Sequence, residues 1–377
     1  MNRLTPGLIF TLICVANVGN ISNVMSTVIP VAGFVSPVSL LIGCSIGLLL
    51  TLMALKLALR LPAHNFLADG SAITGKVIHR LAVFAFFIYF LSRAAFELRG
   101  LTFQVNAMYL PQTPHIAIAA LFCTVTAIAV RYGILTIAYI GQYFALMVFP
   151  TFFIIIGLSA TMPLKTDMLI AFITHMNAQQ LPKAIAGGIF CAPWFGESIF
   201  ILFLAPLFAK EKRMKHALIA AFAFFAVQSL SHLITILLSF GPLVAGNMVF
   251  PIAEQLRYIR VSDFLENLDP FLLVLLFPIV TIKISLYVYL ATLTLGQLMA
   301  MKDLRPLSLT VTALTCALSF HIVSRLSELP LFTRMFWTWY AWLIQCIPLL
   351  YLLIATLRAR IAGKKHTPEP AAPAADS

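Results

Sequence analysis

The chain is a succession of apolar runs, each about long enough to cross a bilayer, and this limits its fold more than any motif does. A membrane helix needs about 20 mostly apolar residues. In hydrocarbon, every backbone polar group must find its partner within the protein. Ten runs meet the length: 7–29, 37–59, 81–108, 114–130, 136–160, 183–208, 215–240, 269–298, 306–325 and 335–358. The expectation is an all-α polytopic membrane protein with ten transmembrane helices. Composition agrees. The chain is 61% hydrophobic and 10% charged, with a mean hydropathy of +0.98. Soluble domains are about 45–50% apolar and about 25% charged.

Lys and Arg counts set the orientation. With the N-terminus inside, cytoplasmic ends and loops hold fifteen of them and outer loops hold six. That asymmetry is the positive-inside pattern, and it places both termini in the cytoplasm. The net charge of +12 is scattered through short loops, so it does not point to nucleic acid. The domain reading is one transmembrane domain over 1–360 and a Pro- and Ala-rich disordered cytoplasmic tail over 361–377. All six cysteines lie in apolar runs, with no C-x-x-C pair. They behave as small hydrophobes.

One run breaks its own pattern. Ala186 to Glu197 carries three glycines, a proline and a carboxylate inside an apolar segment. A membrane glutamate costs about 2.5–3.5 kcal/mol on insertion scales. Two readings fit: a broken helix beside a polar cavity at membrane depth, or a kinked helix with a satisfied Glu. The first is the expectation, because transporters place substrate at such breaks. The first segment has a similar weak point at Asn17-Val18-Gly19-Asn20, followed by Ser22, Asn23 and Ser26. Segments 1 and 6 each begin a set of five. Paired interrupted helices in two halves point to a 5+5 inverted repeat with discontinuous helices 1 and 6.

Charges recur at depth. Arg93 and Glu97 are i, i+4 on segment 3 and can pair on one face. Segment 8 holds Lys283, Ser285 and Tyr287. Embedded charges face the bundle interior or water, so Arg93, Glu97, Glu197 and Lys283 are expected around one polar interior. The connection over 241–268 alternates charged and apolar residues. It reads as a short amphipathic helix capping the site.

An opened helix offers N–H groups to a carboxylate and C=O groups to an ammonium. An amino-acid zwitterion carries both. The candidate ligand-binding residues are Asn17, Gly19, Asn20, Glu97, Gly187, Gly188, Cys191, Trp194, Glu197, Lys283 and Tyr287. Gly187 and Gly188 would allow close backbone approach, and Trp194 would wall the pocket. Glu197 would serve as ammonium partner, proton carrier or buried structural acceptor. His64 and Asp69 match an acyltransferase H-x4-D spacing, but the loop is too short for such a domain and reads as a polar turn. No phosphate-binding glycine loop, nucleophile elbow or metal-ligand spacing is present. No cofactor, metal or enzymatic activity is therefore expected.

The run Phe250-Pro251-Ile252-Ala253-Glu254-Gln255-Leu256-Arg257 through Asp269 resembles the long outer loop of the spore germination permeases, the B subunits of endospore germinant receptors. These lie within the amino acid–polyamine–organocation superfamily. Ser92 to Arg99, Arg131 to Ile134 and Ile282 to Ser285 are similar to that family on the corresponding segments. The resemblance implies ten helices in two inverted halves. It also implies a small germinant, commonly an amino acid, and partner A and C subunits in the spore inner membrane. The functional expectation is a subunit that binds a germinant between helices 1, 3, 6 and 8 and signals. The alternative is a proton- or sodium-coupled secondary amino-acid transporter.

Overall fold

The computed structural model describes residues 3–159, 166–175, 177–209, 211–259 and 269–364. Among them the chain is helical throughout, apart from loops and one isolated bridge between Leu4 and Phe208. The longer helices are α1 (Pro6–Val18), α2 (Ile21–Ala32), α3 (Ser36–Arg60), α4 (Lys76–Met108), α5 (His115–Tyr132), α6 (Ile134–Ser159) and α7 (Thr166–His175). They continue as α8 (Leu181–Gly196), α9 (Glu211–Ala245), α10 (Pro251–Tyr258), α11 (Asp269–Leu298), α12 (Arg305–Ile322), α13 (Thr338–Gln345) and α14 (Ile347–Lys364).

Among the described residues, eight helices are long and apolar enough to cross a membrane. The expected first segment is divided into α1 and the start of the Ile21–Arg60 span, and the ninth corresponds to the 18-residue α12. α14 runs to Lys364. Residues 365–377 and the loop motif over 260–268 lie outside the described residues. α7 was not visible as a helix in the sequence, where 161–182 reads as a connection.

Segment 1 is interrupted where the sequence suggested. Thr5 caps α1 by accepting from the Leu8 amide at 3.3 Å, with Pro6 at the first helical position. The ladder then tightens: the Asn20 amide bonds the Asn17 carbonyl at 2.8 Å, and α2 starts anew with Val24 bonding Asn20 at 2.8 Å.

Segment 6 departs from the expectation in detail. α8 passes through Gly187, Gly188 and Pro193 without opening. The change comes at Glu197–Phe200, where the backbone tightens into a 3-10 turn before Ile201–Leu204. Pro193 has no N–H, so the Ile189 carbonyl four residues back loses its partner. The indole N–H of Trp342 donates to it at 2.9 Å. Gln345 Nε2 donates to the Pro193 carbonyl at 2.8 Å, and Asn20 Nδ2 to that of Trp194 at 2.9 Å. Side chains thus satisfy carbonyls that a regular ladder would have used, as hydrocarbon requires.

The glycines of α8 serve packing. A Cβ on Gly187 would lie 2.6 Å from Ser39 Oγ, and one on Gly188 would lie 2.6 Å from Ile42 Cγ2. From the other side, a Cβ on Gly43 would lie 2.3 Å from Cys191 Sγ, and one on Gly47 would lie 2.4 Å from the Phe195 Cβ. Gly43 and Gly47 form a G-x-x-x-G pair on α3, the spacing that lets two membrane helices approach closely.

This contact yields a prediction. Gly47→Val forces α3 from α8 and should destabilise the protein by about 1–3 kcal/mol, read as a lower melting temperature in detergent. Gly157→Ala, where the added Cβ meets nothing within 4 Å, should leave the melting temperature unchanged.

Candidate functional site

Four charged side chains meet in the interior. Arg93 and Glu97 come from the middle of α4, Glu197 from the 3-10 turn after α8, and Lys283 from α11. All four are buried. Arg93 Nε donates to Glu197 Oε1, and Arg93 Nη2 donates to Glu97 Oε1. Lys283 Nζ donates to Glu97 Oε1 at 2.6 Å and lies 3.5 Å from Glu197 Oε2. Two cations and two anions give the cluster zero net charge. A buried ion repays its desolvation only when paired and hydrogen-bonded, and each of these is.

Asn20, at the interruption of segment 1, holds the cluster together. Its Oδ1 accepts from Arg93 Nη2 at 2.6 Å and from Lys283 Nζ, while its Nδ2 donates to Glu197 Oε2 at 2.9 Å. Tyr287, one turn beyond Lys283, donates its hydroxyl to the same Glu197 oxygen at 3.0 Å. Gly19 makes room: a Cβ there would lie 3.1 Å from Lys283 Cδ. The Arg93 guanidinium is boxed by Trp194, Trp337, Phe96 and Tyr287, with its carbon 5.3 to 5.6 Å from the four ring centroids. Aromatic faces attract a cation, more so when both are desolvated.

Beside this cluster lies a cavity of 470 Å³. Its floor is Gly19 and the first turn of α2, its sides are α4, α6, α9 and α11, and its cover is α10 with Phe250. The amphipathic cap expected over 241–268 is therefore present as α10. A polar chain ties it down: His232 Nδ1 meets Gln255 Oε1 at 2.9 Å, and Gln255 Nε2 donates to Ser159 Oγ at 3.1 Å. Glu97 belongs both to the ion cluster and to the cavity wall. The first amides of an α-helix have no acceptor within it. In α2 these belong to Ile21, Ser22 and Asn23, all of which line the cavity, and the Asn20 side chain does not cap them.

The structure gathers Asn20, Glu97, Glu197, Lys283, Tyr287 and Trp194 into one constellation, with Gly19 shared between cluster and cavity. Asn17 lies next to it, donating to Ser198 Oγ at 3.1 Å. Gly187, Gly188 and Cys191 are elsewhere. They face α3, and none lines the cavity. The close approach they permit here is helix to helix. Arg99 also stands apart, joining α4 to the end of α12 through the carbonyls of Val323 and Ser324 at 2.8 and 3.0 Å. His64 and Asp69 fall in two short turns, Pro62–His64 and Phe66–Asp69. Among the polar wall residues, Thr151, Gln228 and His232 escaped the sequence reading. Gln228 is 4% exposed, and its Oε1 has no hydrogen-bond partner among the described residues. The polar run Gln228-Ser229-Leu230-Ser231-His232 inside an apolar segment was its signal.

The family described as spore germination protein matches residues 3–329. The chain belongs to that family. Spore germination protein XB of Bacillus anthracis is 30% identical over 191 residues, covering 50% of this chain and 52% of the relative. That alignment spans about half the relative's length. Spore germination protein KB of Bacillus subtilis (strain 168) is 24% identical over 357 residues, covering 88% of this chain and 91% of the relative. A solved structure of Mhp1 in its inward-facing conformation superposes with a TM-score of 0.47 at 14% identity, covering 91% of this chain and 74% of that one. With eight candidate spans among its described residues, the chain is a multi-pass membrane protein of the spore germination family.

The ion cluster makes its own prediction. Lys283→Met leaves two buried carboxylates facing one guanidinium and should cost about 3–5 kcal/mol, as removal of one partner of a buried pair does. Adding Glu97→Gln should recover part of that loss. A double-mutant cycle on thermal stability should then show a coupling above about 1 kcal/mol.

Proposed function

We propose that this protein is the permease-like subunit of a germinant receptor and that it binds an amino-acid germinant in the cavity beside the ion cluster. The observation that carries the reading is the double placement of Glu97, in the charge cluster and in the cavity wall. A ligand ammonium reaches the Glu97 carboxylate there. A ligand carboxylate meets the first-turn amides of α2, where the helix dipole favours negative charge. The two poles lie in one enclosure, which suits a zwitterion. The cluster beneath is already neutral, so a ligand without net charge leaves that balance undisturbed.

The reading includes ten crossings in two halves of five, with both termini in the cytoplasm and the chain in the inner membrane. The A and C subunits of the receptor are the partners. Ligand binding is sensed and passed to them. The far side of the cluster supports sensing over passage. From Tyr287, a column of buried rings leads away from the cavity: Phe90 at 6.2 Å, then Phe203 at 5.1 Å, then Phe66 at 5.6 Å. Phe66 sits against Tyr351 at 5.1 Å, and Tyr351 bonds His79 at 3.0 Å. The N-terminus seals the same end, with the Leu4 amide donating to the Leu207 carbonyl at 2.8 Å.

Two measurements test this. A hydrogen bond to a charged group contributes about 1.5–3 kcal/mol, so Glu97→Gln should raise the amino-acid dissociation constant at least about tenfold in protein that still melts cooperatively. An unchanged constant removes Glu97 from the site. Vesicles carrying the purified protein should bind labelled amino acid without accumulating it. Accumulation would make the protein a transporter.

A further inference from the structure

The cavity also carries information about which amino acid fits. Among the described residues, sixteen of those lining it are apolar, Glu97 is the only carboxylate, and no lysine or arginine lines it. Of the polar wall residues, Ser22 and Asn23 belong to α2, Gln104 shares α4 with Glu97, and His232 meets Gln255 of α10. The remaining volume is walled by side chains such as Leu101, Phe152, Ile155, Leu256, Ile279 and Val280. At 470 Å³ the cavity is far larger than glycine or alanine would fill.

We infer that the ligand is an amino acid with a bulky apolar side chain, of the leucine or phenylalanine class, whose zwitterionic end lies between Glu97, Gln228 and the α2 amides. This rests on the amino-acid reading above and deepens it. An acidic side chain would find no cation among the described wall residues. A basic one would compete for Glu97, the carboxylate that the ligand's own ammonium needs. A small side chain would leave apolar wall exposed to trapped water. Gln228 points to a ligand independently of α2. Its amide oxygen is buried in the wall and unpartnered among the described residues, and a buried acceptor without a donor is costly. That oxygen is covered by protein here, so a ligand N–H supplies the donor once the amide turns toward the cavity. Gln228 therefore reads the part common to all amino acids, and the α6 and α10 walls read the side chain.

The test is a binding panel on the full-length protein in lipid nanodiscs: glycine, alanine, leucine, phenylalanine, aspartate and lysine, each competed against labelled leucine and labelled alanine. Burying each methylene is worth about fourfold in affinity. Leucine, larger than alanine by an isopropyl group, should bind roughly fiftyfold tighter by that measure. Ile155→Trp places bulk in the side-chain region and should lower the leucine-to-alanine ratio at least tenfold. Gln228→Leu should weaken leucine and alanine by similar factors, leaving the ratio in place. Alanine binding as tightly as leucine, or aspartate or lysine binding best, overturns the side-chain inference and leaves the amino-acid site standing. If no amino acid competes at millimolar concentration, the amino-acid reading falls and this inference falls with it.

Discussion

Four charges at membrane depth must neutralise one another, and much of the bundle's interior is arranged to let them. A lone charge in hydrocarbon is costly enough to be rare, and those found there face partners or water. Arg93, Glu97, Glu197 and Lys283 come from three segments far apart in the chain. Each therefore fixes the depth and rotation of its helix against the other two. Asn20 adds a fourth segment, because its single amide bonds Arg93, Lys283, Glu197 and the Trp194 carbonyl. The interruption after α1 is what allows this. A tightened turn at Gly19-Asn20 leaves a bare backbone beside Lys283 and aims one amide side chain at three charges.

The same constraint explains why segment 6 tightens where it does. Glu197 must reach Arg93 and Tyr287, and the 3-10 turn that begins there reorients the backbone after α8. The carbonyls of Ile189, Pro193 and Trp194 are taken up by Trp342, Gln345 and Asn20. Two of those donors come from the last part of the chain, where a π-helical turn at Phe332–Trp337 precedes α13. Such turns shift helical register and are frequent at functional sites. Trp337, at the end of this one, lies in the ring box around Arg93. The cluster is thus held by hydrogen bonds and by aromatic faces together.

The sequence made the class of fold legible, because each apolar run has to be helical and long enough to cross. The four charges were legible as a group, since any charge in such a run is forced inward. The partners of each charge were not, because pairing depends on helix rotation and only Arg93 and Glu97 lie on one helix at a readable spacing. Gly187 and Gly188 illustrate the limit. A glycine marks a place where something comes close, and the something was another helix. The G-x-x-x-G pair at Gly43 and Gly47 was the sequence clue to that contact. Gln228 and His232 could not be singled out, since the polar run Gln228-Ser229-Leu230-Ser231-His232 spreads over more than one helix face and is compatible with many roles.

Glu97 and Glu197 are chemically alike, yet the structure gives them different work. Both oxygens of Glu197 are engaged, one with Arg93 and the other with Asn20, Tyr287 and Lys283. Its capacity is largely spent inside the cluster. Glu97 places both of its cationic partners on a single oxygen, Oε1, and its side chain also reaches the cavity wall. A ligand ammonium at Glu97 would draw on the carboxylate that Arg93 and Lys283 share. Those two cations also hold Glu197 and, through Asn20, the turn between α1 and α2. Occupancy of the cavity is thereby coupled to the two interrupted segments through contiguous hydrogen bonds, without any charge having to leave the interior.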